Sequence, residues 1–133
     1  MMWKTLTVIY TGWLAMIVVS ADIGLLSPLS GWLHGVPYRD KVCHFVFVGI
    51  LSFLACMALS HAHGSRRRKV VVVCTILTIA LLTSLEEFSQ HLFVTRQFSQ
   101  LDMLCNIAGT LIFGSLALLF PISKTASTGC VSH

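Results

Sequence analysis

Four long apolar runs, Leu6–Ala21, Val42–Leu59, Val70–Leu85 and Met103–Phe120, constrain this chain more than any other feature. A helix needs about 20 residues to cross a hydrocarbon core roughly 30 Å thick. Each run falls slightly short of that, so the spans are expected to take in polar flanking residues, near 4–22, 40–60, 69–91 and 102–121. Inside a bilayer every backbone N–H and C=O must find its partner within the segment or in a closed barrel. The expected fold is therefore all-α, an integral membrane bundle of four transmembrane helices forming one domain over residues 1–133. Composition agrees: 56% of residues are hydrophobic and 11% charged, against roughly 45–50% and 25% in soluble domains. The first run has Lys4 before it and Ser20-Ala21 near its end, the outline of a signal peptide. Its length and the three similar runs that follow favour a retained first helix.

The basic residues set an orientation. The connection "HAHGSRRRKV" carries Arg66, Arg67, Arg68 and Lys69 with no acid, which marks it as cytoplasmic. Both termini then lie inside with Lys4 and Lys124, giving six basic residues inside and three outside (Arg39, Lys41 and Arg96). All five acids, Asp22, Asp40, Glu86, Glu87 and Asp102, fall on the outer side. The net charge of +4 is thus explained by topology, and no nucleic-acid partner is expected. In the same connection His61 and His63 read as solvated loop residues, and Arg66–Lys69 as a topology determinant. The cysteines Cys43, Cys56, Cys74 and Cys105 sit in apolar stretches, where a thiol behaves as a small hydrophobe.

Against this background "LLTSLEEFSQHLF" is out of place. If the third helix enters near Lys69 at 1.5 Å per residue it leaves the core near residue 89, so Glu86 and Glu87 lie just inside the boundary. Glu87, Gln90 and His91 can share one face. On the second helix Asp40, Lys41 and His44 reach a similar depth, and on the fourth Asp102, Asn106 and Gly109 do. Arg96 lies in the connecting loop. Such groups are costly in lipid and are expected to face one another. The expected network sets Lys41 and Arg96 against Glu87 and Asp102, with His44, Gln90 and Asn106 completing the hydrogen bonds.

These residues also carry a resemblance. "DKVCHF" (Asp40–Phe45), "EFSQ" (Glu87–Gln90), Arg96 and "DMLCNIAG" (Asp102–Gly109) resemble the VanZ-like membrane proteins, whose pattern is Asp-Lys-x-x-His, Glu-x-x-Gln, Arg, then Asp-x-x-x-Asn-x-x-Gly. The match runs in order over about half the chain. Where the family often has Pro-Gly before the Arg, this chain has Val94-Thr95. The resemblance implies a small multi-span protein of the bacterial cell envelope, in a family named for a member linked to teicoplanin resistance.

Three chemistries suit the polar layer. In the first, Asp40, Lys41, His44, Glu87, Gln90, Arg96, Asp102 and Asn106 bind an anionic or amphiphilic envelope molecule, a lipid-linked glycan or lipoglycopeptide. Lys41 and Arg96 would hold its phosphate or carboxylate, and the acids would orient those cations while the site is empty. In the second, His44 with Glu87 or Asp102 forms a general acid/base pair, with Ser84 or Ser89 as nucleophile. In the third, His44, Glu87 and Asp102 ligate a metal, but their spacing carries no fingerprint and nearby cations oppose it. No metal or other cofactor is expected. Membrane lipids are the expected partners. The alternative to a ligand site is a structural subunit of a larger membrane complex, with Gly109 and Gly114 against partner helices.

Overall fold

A computed structural model describes residues 2–23, 25, 38–63, 65–92 and 99–121. Arg96, Lys124 and Cys130 lie outside the described residues. Four helices follow one another: α1 (Met2–Asp22), α2 (Arg39–His63), α3 (Arg68–Ser89) and α4 (Gln100–Leu116). Short 3₁₀ turns precede α3 at Ser65–Arg67, extend it over Gln90–Leu92, and extend α4 over Ala117–Leu119. All four are long and apolar enough to cross a membrane, and the described residues contain no strand.

Side-chain placement shows which solvent the fold suits. The exposed face of α3 is Val70, Val73, Leu77, Leu81, Leu85 and Phe88, spaced by three or four residues. The buried set includes Ser52, Ser60, Thr75, Glu87, Asp102, Asn106 and Thr110. An apolar exterior around a partly polar interior would aggregate in water and is at home in hydrocarbon. The chain is a multi-pass helical membrane protein.

The central helix is α2, which packs against the other three. Trp3 meets Phe53, and Tyr10 and Trp13 meet Phe47, so α1 runs antiparallel to α2 on one flank. The pair α2–α4 is parallel and the closest. Phe45 faces Phe113, and polar contacts climb both helices in the same direction: Lys41 with Asp102, His44 with Asn106, then Ser52, which donates to the Thr110 carbonyl at 3.1 Å. Small residues permit that approach. A methyl group on Gly109 would collide with the carbonyl oxygen of Phe45, and one on Gly49 would lie 2.7 Å from the Phe113 ring. On Gly114 it would lie 2.6 Å from Ile76 and 2.7 Å from the Ser52 hydroxyl. Gly109 and Gly114 therefore face α2 and α3 within this chain, and not the partner helices that the alternative subunit reading set against them.

At the end opposite the polar layer, Cys56, Met57, Val72, Ile76 and Ala117 form the apolar core, with Trp3 and Phe53 against it. Two groups of residues there do more than expected. His61 and His63 are exposed, as expected, but belong to the last turn of α2 rather than to a loop, because the helical pattern continues past Leu59. His61 stacks on Trp3 at 6.3 Å, and His63 Nδ1 lies 3.0 Å from the Leu59 carbonyl. Arg68 does more than mark topology: its guanidinium donates to the carbonyls of Ala117 and Phe120, which the end of α4 leaves without helical partners. The last residues of α4 also tighten into a 3₁₀ turn after Leu116, so its α-helical part is shorter than the expected span to 121.

Candidate polar site at one end of the bundle

The antiparallel alternation of helices gathers four chain ends at one end of the bundle: the starts of α2 and α4, and the ends of α1 and α3. Asp40 lies in the first turn of α2 and Asp102 in the first turn of α4, where the positive pole of each helix dipole favours a carboxylate. Ser99 caps α4 by accepting from the Asp102 amide at 3.3 Å, which fixes where Asp102 emerges.

Two contacts join α2 to α4. Lys41 Nζ donates to Asp102 Oδ1 at 3.1 Å, with the Lys41 side chain 26% and the Asp102 side chain 7% exposed. One turn deeper, His44 Nδ1 lies 3.2 Å from Asn106 Oδ1. For that contact to be a hydrogen bond, the proton sits on Nδ1. In the neutral ring Nε2 then carries the lone pair, and it lies 3.9 Å from Asp40 Oδ1. Asp40 is the most open of the set, at 42% exposure.

Glu87 takes a different role. It is fully buried, and its oxygens accept from the Ser99 amide at 3.1 Å and from Gln90 Nε2 at 3.2 Å. The same Gln90 amide donates to Glu86 Oε1 at 3.0 Å, so its two N–H groups bridge two carboxylates. Glu87 thus fastens the end of α3 to the start of α4 and thereby positions Asp102. Of the expected network, which sets Lys41 and Arg96 against Glu87 and Asp102, the described residues show the Lys41–Asp102 pair. The expected partner Arg96 lies outside the described residues.

Of the eight sequence-derived residues, the structure thus brings Asp40, Lys41, His44, Asp102 and Asn106 into one half-open cluster and sets Glu87 and Gln90 behind it. Ligand atoms of Asp40, His44 and Asp102 lie within 4.8 Å of one another, so the trio with metal-like spacing includes Asp40 rather than Glu87. The Lys41 ammonium already sits on Asp102 and opposes a cation there. Of the serines weighed as nucleophiles, Ser89 donates to the Glu86 carbonyl of its own helix at 2.7 Å. Sequence reasoning missed Ser99. Its signal was present, a small hydroxyl residue three positions before Asp102 at the start of an apolar run.

No protein-family model, curated protein or solved structure matches this chain. Fold and site together define a four-span helical membrane protein with an ionisable cluster at the end of the bundle where α2 and α4 begin.

Proposed function

We propose that this chain is a VanZ-like protein of the bacterial inner membrane, both termini cytoplasmic, whose polar end faces outward and binds the head group of an anionic envelope amphiphile. The observation that carries this reading is the half-open Lys41–Asp102 pair. An ammonium has three N–H donors, and Asp102 takes one. The acid holds the cation at the mouth of the cluster, leaving donors for a phosphate or carboxylate oxygen. The N-termini of α2 and α4 point to the same end and add positive potential. Asp40 and His44 supply acceptors beside the cation, which suits a head group carrying both an anion and hydroxyl donors, as a phosphorylated sugar does. The resemblance to VanZ-like proteins supports the same residues: the two motif halves meet as Lys41–Asp102, His44–Asn106 and Phe45–Gly109. Arg96 is assigned to the same anion on its motif position. Tolerance of a glycopeptide antibiotic would follow from occupying or masking such an amphiphile.

Native mass spectrometry of protein extracted with its lipids tests this. Wild type should retain an anionic envelope lipid that Lys41→Gln and Arg96→Ala each release. Equal retention by wild type and both variants, all folded, rejects the reading.

One contact favours a second reading, acid/base catalysis on the same ligand. Asn106 orients His44 so that Nε2 faces the open side of the cluster near Asp40. Incubation with extracted envelope lipids decides it: a product mass lost in His44→Gln supports catalysis, and bound lipid recovered unaltered rejects it.

A further inference from the structure

Beside the polar cluster, α2 and α4 leave an apolar groove of about 370 Å³. Lys41, Val42 and Phe45 line it from α2, and Leu104, Cys105 and Ala108 line it from α4, in the same i, i+1, i+4 spacing. Tyr38 and Leu101 flank its mouth. Its length is set by the helix pair. It begins at the polar end and stops after about two turns, or 10 Å, where Gly109 meets the Phe45 carbonyl and the helices close. Lys41 belongs to both places: its stem lines the groove and its ammonium sits on Asp102 at the mouth.

We propose that this groove seats the hydrocarbon chain of the amphiphile whose head group the Lys41–Asp102 pair binds, an inference that rests on the head-group reading above. Charge and shape commit the site to that occupant. The walls are apolar, as an alkyl or prenyl chain requires, and the single ionic group stands at the entrance, where an anionic head attached to that chain would lie. A partner helix fits poorly. A helix face laid along it would bring an apolar side chain against the Lys41 ammonium. Leu101 and Leu104 are more than half exposed, so the groove opens sideways towards lipid and a chain can enter without leaving hydrocarbon. Since lipid is as apolar as the groove, selection comes from close packing and from the head group rather than from hydrophobicity itself.

Purified full-length protein in detergent, titrated with inorganic phosphate and with butyl, octyl and dodecyl phosphate, tests the inference. In wild type, affinity corrected for partition into protein-free micelles of the same detergent should rise severalfold with chain length through added packing contacts, and level off once the groove is filled. Ala108→Phe, which fills the inner end, should flatten that dependence. Leu104→Trp, at an exposed lip where folding tolerates bulk, should do the same and replaces Ala108→Phe if that variant does not fold. Lys41→Gln should weaken every member of the series by a common factor. Equal chain-length dependence in wild type and in the folded groove variants overturns the groove while leaving the head-group site. A series that Lys41→Gln leaves untouched overturns both.

Discussion

Glu87 shows how one residue can be legible in sequence while some of its partners are not. A carboxylate just inside a span boundary is conspicuous, and its cost in lipid implies a partner. Among the described residues its partners are the Gln90 side chain, which the shared helix face leads one to expect, and the Ser99 amide, which it does not. Backbone donors do not show in a charge count. Glu87→Leu would orphan the Ser99 N–H and one Gln90 donor, at about 1–3 kcal/mol each. Glu87→Gln keeps an acceptor for Ser99 but sets its NH₂ against that of Gln90, for a loss of about 1 kcal/mol. Thermal unfolding in detergent should rank the variants in that order, and equal stability of Glu87→Leu and wild type would contradict the tether. Lys41, His44, Asp102 and Asn106 were readable because each lies within two turns of a helix start whose position the apolar runs dictate.

At the scale of the helices, the four spans were readable since apolar length alone specifies them, whereas their neighbours were not. Gly12 and Gly109 look alike in sequence, each in an apolar stretch. A methyl group on Gly12 would meet nothing within 4 Å, while one on Gly109 would strike backbone. Gly12→Ala should therefore stabilise α1 by about 0.5–1 kcal/mol. Gly109→Ala should cost about 1–3 kcal/mol or more, because a backbone carbonyl cannot rotate aside as a side chain can. Unfolding of the two variants in the same detergent checks the contrast. Helix ends were blurred for a related reason: Arg68 reaches the last carbonyls of α4 from another element, a long-range contact that no local pattern encodes.

At the scale of the whole molecule, an orientation in the membrane and a pairing between two helices belong together. In the proposed orientation, which rests on the positive-inside rule, the Arg66–Lys69 turn is cytoplasmic and the polar cluster lies outside. In a background without native cysteines, a membrane-impermeant thiol reagent applied to intact cells should label Tyr38→Cys and spare Ser65→Cys; both positions are exposed, so the reverse pattern would invert the orientation. The cluster itself depends on α2 and α4 presenting opposite charges to each other at their common end. A double-mutant cycle on Lys41→Met and Asp102→Asn, read as unfolding free energy, measures that directly. Each single change strands a partly buried charge, so the double variant should lose at least about 1 kcal/mol less than the two singles combined. Losses that add to within about 0.5 kcal/mol would mean that the two charges do not meet.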